Sequence, residues 1–321
     1  MHFSPYFIAG AILIFLMENA CSNLKSQEDS LVKELDLPQF KVAHLGKGDE
    51  EGFQAIQKDF AKRNPGYGLA FQHGAQSIDP QPNPQIVFVQ EGGGTARLSL
   101  GDSSKVSVGD IIWLAEGEGL VTDSAMSFVS FTVPDEPASS VPKVIRTDWD
   151  PLITDIPGGC ATETGAYRRI LLTWLRNNGP YTYPNLNAHR VRIMDSFSHY
   201  HPQDSGFDEF YLVQMVMDGA KILTSNRVDL IENPNRVSPD QVQSLFTSTT
   251  LEVGDLVYLP RGVIHRGLGG VLAQVITVPG FVPGAEIGVD HHLKRLNNLL
   301  NLYGDKQVPF NEAASNEAVV K

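Results

Sequence analysis

The chain is poor in cysteine. Cys21 and Cys160 are its two cysteines in 321 residues. Cys21 follows an apolar leader, so Cys160 stands alone in the globular part, which excludes an internal disulfide there. Cys160 then reads as a buried free thiol. Cations are also in deficit, with 25 Lys and Arg against 37 Asp and Glu and a formal net charge of -12. That excludes binding along a nucleic-acid backbone, which needs a basic face. It leaves an anionic small-molecule substrate open, because local arginines decide that. The apolar run Phe7 to Met17 is 11 residues, too short to span a bilayer. No dinucleotide fingerprint, P-loop or haem-attachment motif is present. Gly92-Gly93-Gly94 precedes neither a helix start nor Lys-Ser/Thr, so it reads as a hairpin turn.

An 11-residue apolar core is the length of a signal-peptide core. With Cys21 and the polar stretch SNLKSQEDS behind it, residues 1-21 resemble a bacterial lipoprotein leader with Cys21 as the acylated residue. Two features depart from that pattern: no Lys or Arg precedes the core, and Glu18 lies three residues before Cys21. Plain secretion or an uncleaved anchor are the alternatives. Either way the expected location is exported, periplasmic or cell-surface, with membrane contact only through the N-terminal anchor.

The chemistry concentrates between residues 199 and 265. His199 and His201 are two apart, and residues two apart on a strand share a face. A loop with Pro202 and Gly206 leads into Asp208-Glu209 and the apolar run FYLV. Glu209 shares parity with Tyr211 and Val213, and Asp208 with Phe210 and Leu212, so one of the two carboxylates faces the imidazoles. Asp208 and Asp204 are the rivals of Glu209 for that role. Further on, GDLVYLPRGVIH places Pro260 and Gly262 in a tight turn between strands, after which His265 supplies a third imidazole. Three imidazoles and one carboxylate on strands make a site for a first-row transition metal, with positions left for substrate or oxygen.

These two blocks resemble the motifs of the cupin superfamily, whose fold is a compact antiparallel β-barrel of jelly-roll type. The second motif, G-x5-P-x-G-x2-H, is matched without a gap. The first has Ile193 in place of the family's glycine, and seven residues between His201 and Glu209 where three or four are usual. The resemblance implies an all-β chain.

A weak internal repeat runs through it. Gly109 to Gly117 lies over Gly254 to Gly262, with Leu120 at the position of His265 and Gln85 where the carboxylate ligand would stand. His73 has no HxH partner and reads as a surface or turn residue. The first copy has the frame of such a barrel without its ligands, so the expected architecture is two cupin-type barrels with short flanking helices. The first serves packing or a homodimer contact.

The expected segments are the leader 1-21; a polar tether and helix, 22-66; a degenerate barrel, 67-135; a proline-rich connector with packing strands, 136-185; a metal-binding barrel, 186-283; and a C-terminal helix and tail, 284-321. Phe53, Ile56 and Phe60 are at helical spacing, and Asn64-Pro65-Gly66 ends that helix. Arg190 and Arg192 share one strand face, expected to be an outer one. Ser238-Pro239 starts a helix carrying Val242, Leu245 and Phe246, either a lid or an outside decoration. Asp290 caps a helix that docks through Leu293, Leu296 and Leu300. His291 and His292 diverge on it and make no second metal site.

The functional expectation is a metal-dependent enzyme with one divalent transition metal, iron placed ahead of manganese, nickel, zinc and copper. The metal acts as Lewis acid or oxygen-activating centre. Arg261 and Arg266 flank His265 and are candidates to orient an acidic substrate. Tyr258 and Tyr211 are candidates for a general acid. The first reading is a dioxygenase-like enzyme for a small oxygenated organic acid or aromatic. The alternatives are a non-redox isomerase, lyase or decarboxylase of sugar acids, and a metal-bearing ligand-binding protein without turnover.

Overall fold

The computed structural model describes residues 37–156 and 167–321. The leader, Cys21, most of the tether and Cys160 lie outside the described residues. In chain order the elements are strand β1 (Lys41–His44), helix α1 (Glu50–Arg63), and strands β2 (Gly68–Ile78), β3 (Gln85–Glu91), β4 (Gly93–Leu98), β5 (Ser103–Ser107), β6 (Ile111–Leu114), β7 (Leu120–Thr132) and β8 (Val144–Ile145). After the undescribed stretch come β9 (Arg168–Leu172), β10 (Asn187–Asp195), β11 (His199–Tyr200), β12 (Asp208–Val216), β13 (Lys221–Ser225), helix α2 (Val228–Ile231), β14 (Thr247–Thr250), β15 (Asp255–Leu259), β16 (Ile264–Val278), β17 (Ile287–Gly288) and helix α3 (Asp290–Leu299).

The strands form two antiparallel, barrel-like sheets. Strands β2 to β8 make the first, and β1 with β9 to β17 make the second. This all-β, two-barrel architecture with short flanking helices is the one the sequence resemblance implies. Three segments cross the expected boundaries. Strand β17, from the expected C-terminal tail, pairs with β11 of the second sheet. Strand β1, from the expected tether, pairs with β15 of the second sheet, and β8, from the connector, pairs with β6 of the first.

Strict alternation divides each strand between two cores. In β12, Tyr211 and Val213 enter the second barrel beside Val257, Leu259 and Val275. Phe210 and Leu212 face the other way, into a core shared by both barrels with Phe88, Phe131, Tyr258 and Ile276. Val87, Val89, Ile112 and Leu120 fill the first barrel. The shared layer is aromatic: Phe131 and Phe210 meet edge to face at 5.2 Å, and Phe60 of α1 meets both, at 5.8 and 5.1 Å. Such pairs contribute about 0.5–1.5 kcal/mol each beyond their buried area. The first barrel is thus a packing partner of the second within one chain.

Helix α1 reaches this layer because Ile56 and Phe60 lie on its buried side. Asp49 caps its start by accepting from the Gly52 amide at 3.0 Å, and Asn64 closes its end on the Phe60 carbonyl. The insertion differs from the expected α-helix: one 3-10 turn, Val242–Ser244, stands there. Val242 and Leu245 pack with Leu293, Leu296 and Val308 against α3, which makes the insertion a decoration. Asp290 begins α3 with its carboxylate turned back, accepting from the amides of Ser198 and Asn311 at 2.7 Å each. Arg190 is no outer-face residue. It is buried between the barrels and bonds Gln214 and Asp148 at 2.7 Å each, while Arg192 is exposed. Among the described residues no helix is long and apolar enough to cross a membrane.

Candidate metal centre

Three strands bring the imidazoles and the carboxylate together. His199 of β11 lies directly opposite His265 at the start of β16. Glu209 is the second residue of β12, the strand held between β15 and β16, where it pairs with Leu259 and Thr277. His201 follows β11, its carbonyl accepting from the Gly262 amide at 2.8 Å. The longer loop after His201 folds Phe207 under the imidazole, with ring centres 4.0 Å apart. Gly206 permits that loop, since a Cβ there would lie 2.5 Å from the Pro202 carbonyl oxygen and 2.9 Å from the His201 Cβ.

One ligand nitrogen each from His199, His201 and His265 falls within 4.8 Å of the others. All three side chains are buried. The Nδ1 atoms of His199 and His265 donate to the Phe197 and Val263 carbonyls at 3.1 and 3.2 Å, because a carbonyl can only accept. This fixes the tautomer that leaves Nε2 as the forward lone pair. The Nε2 atoms of all three histidines, and Oε1 of Glu209, are buried without a hydrogen-bond partner among the described residues. His265 Nε2 and Glu209 Oε1 are 3.3 Å apart, and His201 Nε2 and Glu209 Oε2 3.9 Å. Donors on one ion at bonds of about 2.1 Å stand roughly 3 Å apart when adjacent and about 4.2 Å when opposite. Four buried, unsatisfied donors at this spacing fit a divalent transition metal. Burial, then the neighbouring imidazoles, hold His199 well below the usual histidine range, and burial brings His201 down to about 3. Both rings are therefore neutral and ready to ligate at ordinary pH.

Asp204 is exposed on the loop, and Asp208 faces the opposite way from Glu209. Its carboxylate is fully buried beneath α1 and accepts from Tyr258 Oη at 2.8 Å, Asn64 Nδ2 at 2.7 Å, and the backbone amide and Nε of Arg261 at 2.9 and 3.0 Å. Two of the expected catalytic residues are thereby corrected. Arg261 points away from the ligands, and its Nη2 also donates to Arg63 and Asn64. Tyr258 has the parity of Phe210, and burial together with Asp208 pushes its hydroxyl far up, so it is no general acid. Arg266 is corrected as well: it turns outward to Asp195 at 2.7 Å and the Ser196 carbonyl. Tyr211 lies inside the barrel, with its ring centre 6.4 Å from that of His265.

The open side of the centre is a cavity of about 360 Å³ reaching Glu209. Ile170, Leu172, Trp174 and Phe281 give it apolar walls, and Arg168, His189, Glu286 and Lys321 line it as well. Trp174 and Phe281 stack at 4.0 Å. His189 is held down to about 3 by burial and by Arg168. Burial, then the charge of Glu209, pushes Glu286 up to about 7. Sequence reading missed all of these. They come from strands and turns with no motif spacing, and one signal was available: His189 shares strand parity with the barrel-facing Val191 and Ile193. A larger recess of about 450 Å³ lies around His44, Asp49 and His73, and none of these belongs to a candidate ligand group among the described residues. His73 there is half exposed and bonds Ser127.

No known family profile matches the chain, and no curated protein sequence matches it. Solved structures of similar fold include AerE from Microcystis aeruginosa, 12% identical over 66% of this chain and 86% of that one, TM-score 0.43. A mutant oxalate decarboxylase from Bacillus subtilis is 11% identical over 80% and 81%, TM-score 0.45. Vicilin from hazelnut, Corylus avellana, is 11% identical over 83% and 90%, TM-score 0.43.

Proposed function

We propose that the chain is a metal-dependent cupin enzyme with a single centre, formed by His199, His201, Glu209 and His265. The substrate would be a small oxygenated organic acid or aromatic, and the first reading of the chemistry is dioxygenase-like. The observation that carries the proposal is the set of four buried side chains whose ligand atoms face one another, beside a cavity with apolar walls that reaches Glu209. Bound there, a divalent metal supplies Lewis acidity or oxygen activation. Three imidazoles and a carboxylate accept iron, and also manganese, nickel, zinc or copper.

The chain's own residues do the rest. The stacked pair Trp174 and Phe281, with Ile170 and Leu172, takes the apolar body of a substrate and excludes water. Arg168 and Lys321 replace Arg261 and Arg266 as the cationic side chains beside an acidic group. Asn187 and Thr277 offer polar contacts on the same wall.

A specific observation favours a second reading. Glu286 lines the same cavity with its carboxyl held up to about 7. A carboxyl of that kind, when it is not itself bound to the metal, suits proton transfer in a non-redox lyase, isomerase or decarboxylase. The reading also includes export and lipid anchoring through Cys21, and self-association as a homodimer. Metal analysis of native protein, coupled to oxygen-uptake screening on small acids and phenols, separates the outcomes. Iron with uptake supports the first reading. Zinc or nickel with turnover but no uptake supports the second. Substoichiometric metal without turnover returns the chain to a ligand-binding role.

A further inference from the structure

Strand β17 pairs with β11 so that His199 faces Gly288 and Tyr200 faces Ile287. The same register, carried one residue further, brings His201 opposite Glu286. The carboxylate of Glu286 reaches the ligands. Single donor atoms of His201, Glu209 and Glu286 all lie within 4.8 Å of one another. This second trio shares His201 with the three-histidine cluster.

The backbone that carries Glu286 is fixed on both sides. Its amide and carbonyl both bond Lys321, at 3.1 Å each, while β11 holds the next two residues. Two carboxylates, one buried and one half-buried, are thus held close together on one cavity. Like charges at such separation disfavour one another unless a cation lies between them. Among the described residues Lys321, whose ammonium lies 4.3 Å from the Phe197 ring centre, forms no ion pair with either carboxylate.

We propose that Glu286 is a second carboxylate donor to the bound metal, completing a cradle of three imidazoles and two carboxylates. This deepens the metal-centre reading and rests on it. An added oxygen donor moves a site toward oxygen-preferring ions, so the cradle prefers Mn(II) or Fe(II) more strongly than a three-histidine, one-carboxylate set does.

The test uses the metal-stripped full chain, titrated calorimetrically with Mn(II) and separately with Zn(II). Glu286→Gln is expected to weaken Mn(II) binding on the order of tenfold or more, the scale of losing a metal-site partner. Zn(II) binding should weaken less, so the ratio of the two affinities falls. Glu286→Asp, which keeps the carboxylate on a shorter arm, should retain more of the Mn(II) preference, and it carries the test if the Gln variant does not fold. The Mn(II) electron paramagnetic resonance line shape should change in both variants. Wild-type affinities and an unchanged spectrum in the folded variants overturn the inference. If His265→Ala abolishes binding in the same assay, the metal centre itself survives that result. Absence of binding by the wild-type chain overturns the centre and Glu286 together.

Discussion

Gln85 and Glu209 occupy the same place in the two barrels. Gln85 pairs with Leu114 and Thr132, and Glu209 pairs with Leu259 and Thr277. The correspondence continues across each barrel. Ile78 faces Leu120 as His199 faces His265. Gly109 and Gly254 introduce the equivalent strands with matching left-handed φ values of 95° and 94°. In each turn the following aspartate accepts from the backbone amide three residues before it, Ser107 for Asp110 and Glu252 for Asp255. One barrel therefore keeps the frame with ligands, and the other keeps it with an amide and two aliphatic side chains.

That replacement sets the stoichiometry. Ile78 and Leu120 fill the first barrel's interior with hydrocarbon, and no cation is stable there without donors. Elemental analysis of metal-loaded, dialysed protein should give one equivalent per chain. Two equivalents, one of them lost on His73→Ala, would sink this account.

The ligands are also separable from the fold. His199→Ala and His265→Ala each remove one of the three imidazole donors, and the loss should exceed the roughly 10–100-fold typical of an outer-sphere partner. Circular dichroism should stay that of a β protein. If both variants keep full metal occupancy after dialysis, the centre lies elsewhere.

Arg261 is expected to matter for stability rather than for substrate. Asp208 is fully buried, and among the described residues Arg261 is its one charged hydrogen-bond partner. Removing one member of such a pair leaves an uncompensated charge, at a cost of about 3–5 kcal/mol. Arg261→Ala should therefore lower the unfolding free energy in urea by that order, with metal content per folded molecule unchanged. A variant as stable as wild type but with weakened binding of acidic substrates would restore the clamp role read from sequence.

These contrasts show which parts of the site were legible. The HxH spacing and the P-x-G-x2-H block are local, and strand parity alone predicts that Glu209 and Asp208 part company. Parity was also available for Tyr258, which alternates with the inward Val257 and Leu259. The side taken by Arg261 was not, because a turn residue has no strand parity and Asn64 is 197 residues away. Glu286 was hidden for the same reason. Its place depends on a two-residue strand that pairs with β11, and two residues carry no periodicity.

The last prediction concerns His189, which lines the cavity beside Arg168 and Glu209 but is no metal ligand. Burial, then Arg168, brings its folded pKa down to about 3 from an ordinary 6.5. Above pH 6.5 the ring is neutral in both states and contributes nothing to pH dependence. Between about 6.5 and 3 the unfolded chain takes up a proton that the folded chain refuses, so stability falls as the pH falls. One such group gives a slope of about 1.4 kcal/mol per pH unit. Glu286 acts in the opposite sense, because its raised pKa lets the folded chain hold a proton up to about 7. The absolute curve is therefore a sum, and the difference between two proteins isolates His189. His189→Gln in the metal-free chain should lose about 2–3 kcal/mol less than wild type when urea unfolding at pH 4.5 is compared with pH 7. Parallel stability curves for the two proteins would mean that His189 takes up its proton in the folded state, and that the cavity wall is wetter than its surroundings imply.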